Sequence, residues 1–548
     1  MKIAMIQMNV NVLEFKTNYN NILKYINKAK ADKADMVILP AHCIGGFLLG
    51  EHYKNNELMK LLSSYNDLIA KEAKDIAIVW GNIKAVHNMI FDCIFFSYNG
   101  DTQMSSRTLN TNNYMNEYKY LNSSEITSNI VYKDMVFHLN LGILTSNDGW
   151  NINLTSSSYP NQPSFTNRTI CVNSLGSELT SKNVIVYNGG SFIYGDNKYL
   201  TQLPYSIEHY ELIELESSNS IQYMNCSRLT ALLQGIRDFD RICFGSKLPW
   251  IIGLSGGLDS SLSAALLVKA LGSERVIGYN LATHYNSECT KNNANYLADK
   301  LNIKCVDGSI EKLVEATNIT LEEYGYLNDK NSSLTNENIQ ARLRGHLLSS
   351  FASVEGGVVV NNGNKVEVAL GYCTMYGDSI GAVSPLGDLT KVDIFEICRE
   401  LNAESVIIPE SLLPTIDGDK IKWIMPPSAE LKDKQLDPMK WFYHDQLLDI
   451  LMQEGNLYSY LNSYLDGTIK TQPLYKWIKY YGLDNPIEFV KDIEWFTRTV
   501  QRNIFKRVQL PPCIVMSKHP FGSCKDEVQG SYVDPIQENI LKEINNMK

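Results

Sequence analysis

Trp250-Ile251-Ile252-Gly253-Leu254-Ser255-Gly256-Gly257-Leu258-Asp259-Ser260-Ser261 is the stretch on which the reading of the whole chain turns. The apolar run from Trp250 to Leu254 reads as a buried strand, and Leu262, Leu266, Leu267 and Ala270 recur at helical spacing between Ser260 and Leu271. Strand, glycine turn and helix therefore follow one another without a spacer. Adjacent glycines let the backbone turn sharply and point several N–H groups at a ligand with no Cβ in the way, and the free helix N-terminus adds positive potential. Such a turn suits phosphate. Its spacing is neither the Walker pattern, which needs Lys-Ser/Thr after the last glycine, nor the dinucleotide GxGxxG.

Working outward, Arg275 to Ala282 reads as a second strand, Thr290 to Leu301 as a helix with Ala294, Leu297, Ala298 and Leu301 on one side, and Ile303 to Val306 as a third strand. Glu337 to Arg344 opens a helix continuing through Leu347 and Phe351, and Val358–Val360 is another buried strand. Repeated β-α-β units imply a doubly wound parallel sheet whose ligands lie beyond the carboxyl ends of its strands. The first part of the chain has its own β-α-β opening: Lys2 to Val10, a helix with Tyr19, Ile22, Ile26 and Ala29 on one face, then Ala34 to Leu39. Further short apolar runs at 75–79, 90–97, 136–145 and 169–173 imply a second, layered α/β domain.

Bulk properties bound the function. A chain of 548 residues is too long for one core. A hydrophobic fraction of 44% and a charged fraction of 20% are those of an ordinary globular protein. The formal charge of −10 argues against a nucleic-acid or membrane-surface partner. The 11 cysteines include no CxxC pair and read as reduced thiols of a cytoplasmic protein. No apolar run reaches membrane-spanning length. A polar segment, Glu216-Ser217-Ser218-Asn219-Ser220, separates the halves, and the expected division is 1–215, a linker at 216–222, and 223–548.

Two resemblances become visible on these residues. Ser-Gly-Gly-x-Asp-Ser at 255–260 resembles the pyrophosphate loop of the N-type ATP pyrophosphatases. Together with Glu337–Arg344, Asn361–Glu367, Leu370–Asp378, Leu386–Lys391, Pro426–Leu431 and Arg502–Pro512, it makes the second half similar to NAD synthetases. In the first half, Ala34–Pro40, Leu141–Trp150 and Asn188–Phe192 resemble segments of the nitrilase superfamily, and 106–109 with 117–120 resemble its lysine segment. A nitrilase-like glutaminase domain fused to a synthetase domain is the layout of glutamine-dependent NAD synthetases. The resemblance implies adenylation of deamido-NAD by ATP with Mg²⁺ and displacement of AMP by ammonia, in a homo-oligomer.

Carried over residue by residue, the resemblance places Gly253, Ser255, Gly256, Gly257, Asp259, Ser260, Asn362, Lys391 and Ser428 around ATP, and Asn338, Arg342, Glu367, Tyr372, Thr374 and Lys506 around deamido-NAD. Asp259 and Glu367 would bear the metal, a hard ion that prefers oxygen. Asn362, Val366 and Met425 depart from the family's usual Thr, Ser and Lys. The glutaminase positions depart further. Nitrilase chemistry needs a glutamate base, a lysine and a cysteine nucleophile, and these positions hold Ala41, Ser106 and Ser146. The expectation is therefore an amide ligase fed by free ammonia. Its alternatives are the same chemistry on nicotinate mononucleotide, glutamine use through a rewired site at His42 and Cys43, a tRNA-thiolating enzyme, and a protein inactive in both halves.

Overall fold

The structure, a computed structural model, describes all residues except 108–118, 125, 127, 142–147, 161–166, 216–219, 327–331, 419, 433–434, 526, 529–532 and 548. The chain divides into two compact units, Met1–Phe239 and Asp240–Lys548. The division falls inside the helix Arg228–Phe244, downstream of the polar segment.

In the first unit the described elements are β1 (Lys2–Gln7), α1 (Phe15–Ala31), β2 (Met36–Ile38), α2 (Asn56–Glu72), β3 (Ala77–Val86), β4 (Met89–Tyr98), β5 (Asp101–Ser106), β6 (Asn129–Tyr132), β7 (Met135–Asn140), β8 (Trp150–Thr155), β9 (Thr169–Asn173), β10 (Leu175–Leu179), β11 (Asn183–Asn188), β12 (Phe192–Gly195), β13 (Lys198–Gln202) and β14 (His209–Glu214). They build two 6-stranded sheets, ordered β14-β1-β2-β3-β4-β5 and β13-β12-β9-β8-β7-β6. Side chains alternate across a strand, so Ile3, Met5 and Ile38 meet Phe137, Ile152, Ile170 and Ile193 in a core between the sheets. Ala4, Ile6 and Val37 are buried on the other face. The α1 periodicity buries Ile22, Ile26 and Ala29, and Asn55 caps α2 by accepting from Leu58 N at 3.1 Å. The run at 136–145 is a strand as far as Asn140, and Ser146 lies outside the described residues.

The second unit is wound differently. After α3 (Arg228–Phe244) come β15 (Trp250–Gly253), α4 (Leu258–Leu271), β16 (Val276–Ala282), α5 (Glu288–Leu301), β17 (Lys304–Ser309), α6 (Glu311–Glu323), α7 (Ser332–Glu355) and β18 (Val358–Val359). The 4-stranded sheet has the order β17-β16-β15-β18 and every pairing is parallel. Ile251, Ile277 and Val359 pack on one face against Leu348, Phe351 and Ala352 of α7. Helix α4 is buried along most of its length, Leu262, Ala265, Leu266 and Leu267 included. Strand order reverses at β15, with β16 on one side and β18 on the other, which places the ligand crevice at the carboxyl ends of β15 and β18.

Beyond β18 lie α8 (Lys365–Leu370), α9 (Lys391–Asn402), a hairpin of β19 (Thr415–Asp417) and β20 (Lys420–Lys422), and the helices α10 (Tyr443–Glu454), α11 (Tyr458–Leu465), α12 (Tyr475–Tyr480), α13 (Pro486–Arg502), α14 (Ile504–Arg507) and α15 (Pro535–Asn545). No described helix is long and apolar enough to cross a membrane.

Asp240, fully buried, ties the base of this sheet: it accepts from Trp250 Nε1 at 2.9 Å and from Arg275 at 2.8 Å. Removing one member of such a buried set leaves the others unsatisfied at a cost of about 3 kcal/mol. Asp240→Ala is expected to lower the unfolding free energy of the second unit by about that amount in a denaturant titration; a change under about 0.5 kcal/mol, the level of ordinary surface substitutions, would contradict this role.

Candidate active site

The glycine turn between β15 and α4 is set by contact with the start of α5. Gly256 has φ +73°, and a Cβ there would fall 1.8 Å from the Thr290 carbonyl oxygen, so both the backbone angle and the space demand glycine. Gly257 is the N-cap of α4 and supplies no side-chain cap. The first-turn N–H groups of that helix therefore remain donors without a side-chain acceptor from the cap position. The serines fold the turn on itself. Ser255 Oγ lies 3.0 Å from Ser260 Oγ and accepts from Gly257 N at 3.3 Å, while Ser261 Oγ donates to Gly257 O at 2.8 Å.

Asp259, in the first turn of α4, points at Lys391, the first residue of α9. Lys391 Nζ donates to both carboxylate oxygens at 2.8 Å, and its side chain is 4% exposed. The Lys391 backbone N donates to Asp445 at 2.6 Å, and its ammonium lies over the Trp441 ring. Burial alone would depress this ammonium, yet Asp259 and Glu367 hold it well above its ordinary range. Asn364 Nδ2 donates to Asp259 Oδ2 at 3.1 Å while the same side chain caps α8. Its partner in that capping box is Glu367, whose Oε2 accepts from Asn364 N at 3.2 Å.

Asn364 thus links the two carboxylates proposed for metal binding. Burial, followed by the charge of Asp259, raises the Glu367 carboxyl well above the usual range. Asp437 is raised by burial as well, and its Oδ1 has no hydrogen-bond partner among the described residues. Lys391 alone does not neutralise three carboxylates. The oxygen donors suit a hard divalent cation by their chemistry, and such an ion would relieve the crowding and occupy the orphaned oxygen. The described residues hold no ready-made group of three or more His, Cys, Asp or Glu for a metal ion.

The structure brings the remaining candidates to the same crevice. Asn362, after β18, donates to Gly253 O at 3.2 Å across the strand-order reversal. The loop after α8 gathers five more. Tyr372 is raised by burial and by the Asp437 and Glu367 charges. Thr374 Oγ1 donates to Asn338 Oδ1 at 2.8 Å, Arg342 Nε donates to Met375 O at 3.3 Å, and Lys506 Nζ donates to Gly371 O and Cys373 O at 2.7 Å each. Ser428 Oγ accepts from Glu430 N at 3.1 Å, and Glu430 accepts from Thr290 Oγ1 at 2.8 Å, so this loop shares the α5 terminus with Gly256. Asn364, Glu430, Asp437 and Asp445 were not singled out by sequence. Asn364 and Glu430 stand inside the motifs, whereas Asp437 and Asp445 carry no local signal.

In the first unit, the residues expected at the glutaminase positions are Ala41, Ser106 and Ser146. Ala41 is fully buried in the turn that follows β2, and its backbone lies so close to Gly81 that a Cβ on Gly81 would fall 2.5 Å from Ala41 Cα. Burial pushes the Cys43 thiol up to about 12, and its Sγ faces Gly81 O at 3.4 Å, so a rewired thiolate nucleophile at Cys43 is disfavoured. His42 faces Asp92 at 3.4 Å and Arg107 pairs with the same carboxylate at 2.7 Å. Burial would raise Asp92, but these two partners hold it well below the usual range. Ser106 Oγ is buried with no hydrogen-bond partner among the described residues.

Residues 244–470 match the family model for NAD synthase. The chain is 25% identical to the glutamine-dependent NAD(+) synthetase of Synechocystis sp., covering 95% of this chain and 97% of that one. It is 35% identical to the enzyme of that name from Thermotoga maritima over 230 residues, 41% of this chain. Among solved structures, the glutamine-dependent NAD(+) synthetase of Cytophaga hutchinsonii superposes with a TM-score of 0.77 at 17% identity over 100% of both chains. That of Acinetobacter baumannii, in complex with ADP, gives 0.66 at 22% identity over 94% of this chain and 96% of that one. The two-domain layout expected from the sequence is therefore the layout of these synthetases from end to end.

Two outcomes follow from the geometry. Gly256→Ala is expected to lower the melting temperature more than Gly257→Ala, whose nearest neighbouring atom lies at 3.3 Å; equal effects would contradict the contact with Thr290. Cys43 is expected to resist iodoacetamide at pH 8 in the folded protein and to react after denaturation, read by mass spectrometry; ready native alkylation would show an accessible thiolate.

Proposed function

We propose that the protein amidates deamido-NAD to NAD in two steps. The nicotinate carboxylate attacks the α-phosphorus of ATP and pyrophosphate leaves; ammonia then attacks the acyl carbon of the adenylate, AMP leaves, and a proton is released. The observation that carries this reading is the convergence of the glycine turn, Asp259, Lys391, Asn362 and Glu367 on one crevice, within a segment matching the NAD synthase family. Gly256, Gly257 and the first turn of α4 offer N–H groups to the departing pyrophosphate, with Ser255, Ser260 and Ser428 beside them. Lys391, held protonated, supplies fixed positive charge to the phosphates. Asp259, Glu367 and Asp437 would hold Mg²⁺, which supplies charge neutralisation on the polyphosphate. Asn338, Arg342, Tyr372, Thr374 and Lys506 line the place where the dinucleotide would be oriented.

We further infer that the nitrogen donor is free ammonia. The curated relatives are named for glutamine dependence, so this reading rests on what stands at the glutaminase positions here. Ala41 cannot take a proton, Ser106 cannot hold developing negative charge as a lysine does, and Ser146 would be a poor nucleophile without a base. The buried His42–Asp92 pair, with Arg107 on the same carboxylate, and the buried Cys43 thiol supply no substitute.

The test is a nitrogen-donor assay with Mg-ATP and deamido-NAD. NAD is expected with ammonium and not with glutamine; glutamine turnover comparable to that with ammonium would overturn the ammonia inference. Nicotinate mononucleotide in the same assay addresses the alternative substrate, and faster conversion of it than of deamido-NAD would favour that reading.

A further inference from the structure

Helix α8 carries Glu367 and leads directly into Tyr372, yet it is six residues long. Isolated helices shorter than about 12–15 residues are marginal at best, so contacts from outside must hold it in place. At its N-terminus Asn364 provides the capping box already described. Lys365, its first residue, is buried: Nζ donates to Ser517 Oγ at 2.8 Å and pairs with Asp388 at 3.1 Å. Asp388 also accepts from Met516 N and Ser517 N at 2.7 Å each.

Its C-terminus is gripped by α13–α14. The last carbonyls of a helix lack partners within it, and here three side chains supply them. Arg507 donates to Ala369 O at 2.5 Å, Asn503 Nδ2 to Leu370 O at 2.7 Å, and Lys506 to Gly371 O at 2.7 Å. Gly371 takes the left-handed conformation at φ +62°, and a Cβ there would fall 2.5 Å from Asn503 Cβ. Arg507 is aimed by a fork on Glu527, with Nε–Oε2 3.2 Å and NH2–Oε1 2.8 Å, and its guanidinium lies 5.0 Å from the Phe521 ring centre. Residues 503–517, more than a hundred positions away in sequence, therefore hold both ends of α8.

We propose that Asn503 and Arg507 are positioning residues for the amidation: they fix α8 and so set where the Glu367 carboxylate and the Tyr372 ring stand in the crevice. The inference rests on the function proposed above. Lys506 keeps its place as a candidate ligand contact, whereas Asn503 and Arg507 spend the donors seen here on α8 and, for Arg507, on Glu527.

The test compares steady-state kinetics of Arg507→Met, Asn503→Ala and Glu527→Gln in the full chain with ammonium as nitrogen donor, normalised to folded protein by near-UV circular dichroism. Displacing Glu367 from the metal site costs rate, so kcat is expected to fall about tenfold or more, by a larger factor than any rise in KM for deamido-NAD through Tyr372. Glu527→Gln, whose amide can still accept one N–H, is expected to be intermediate. Normalised kcat within about twofold of wild type in Arg507→Met or Asn503→Ala would overturn the proposal, as would a loss confined to KM, which would mark a direct ligand contact. If Arg507→Met does not fold, Asn503→Ala decides; if neither folds, the segment is a structural brace and the proposal fails. A wild-type protein that makes no NAD sinks the functional reading instead, while an active wild type with unimpaired variants sinks this inference alone.

Discussion

A buried ammonium group organises the second unit. Lys391, 4% exposed, sits against both oxygens of Asp259, and the crevice is arranged around that pair: Asp259 at the start of α4, Asn364 bonded to it and capping α8, and Asp445 receiving the Lys391 backbone N–H. Buried ion pairs contribute little net stability, because desolvation offsets most of the attraction. Their strength lies in geometry. By holding the termini of α4, α8 and α9 together at the strand-order reversal, the pair gathers separate turns into one charged site.

That charge is unbalanced by design of the residues present. Glu367 and Asp437 add two carboxylates beside Asp259, and burial pushes both toward protonation, with the charge of Asp259 adding to the effect at Glu367. A site in this condition would gain from a ligand that brings positive charge, which is what Mg²⁺ would supply in the proposed reaction.

The local elements were legible where periodicity and turn chemistry are strong. The glycine turn, the parallel β-α-β units and the two-sheet α/β opening could be read from residue spacing, since burial on both faces of parallel strands leaves continuous apolar runs. The sequence pattern puts the start of α7 at Glu337, whereas the helix begins at Ser332, because its first turn carries no apolar period. Asp437 and Asp445 escaped notice because their significance comes from tertiary neighbours alone: a lone aspartate in a polar segment looks like solvated surface until the fold sets it beside Lys391 or Tyr372. The brace on α8 escaped for a related reason, since donors at 503 and 507 meet acceptors at 369 and 370 only after the chain closes. In the first unit the sequence supplied only an expectation at the glutaminase positions, and the burial of Cys43 and the Asp92 pairings needed coordinates.

The central claim is that this crevice joins the substrate carboxylate to the α-phosphorus of ATP. Deamido-NAD labelled with ¹⁸O in the nicotinate carboxylate tests it directly. After turnover with ammonium and Mg-ATP, one ¹⁸O is expected in the phosphate of AMP, read by mass spectrometry, with none in pyrophosphate. Label appearing in inorganic phosphate or pyrophosphate, or AMP formed without label, would contradict an acyl-adenylate and with it the account of the site.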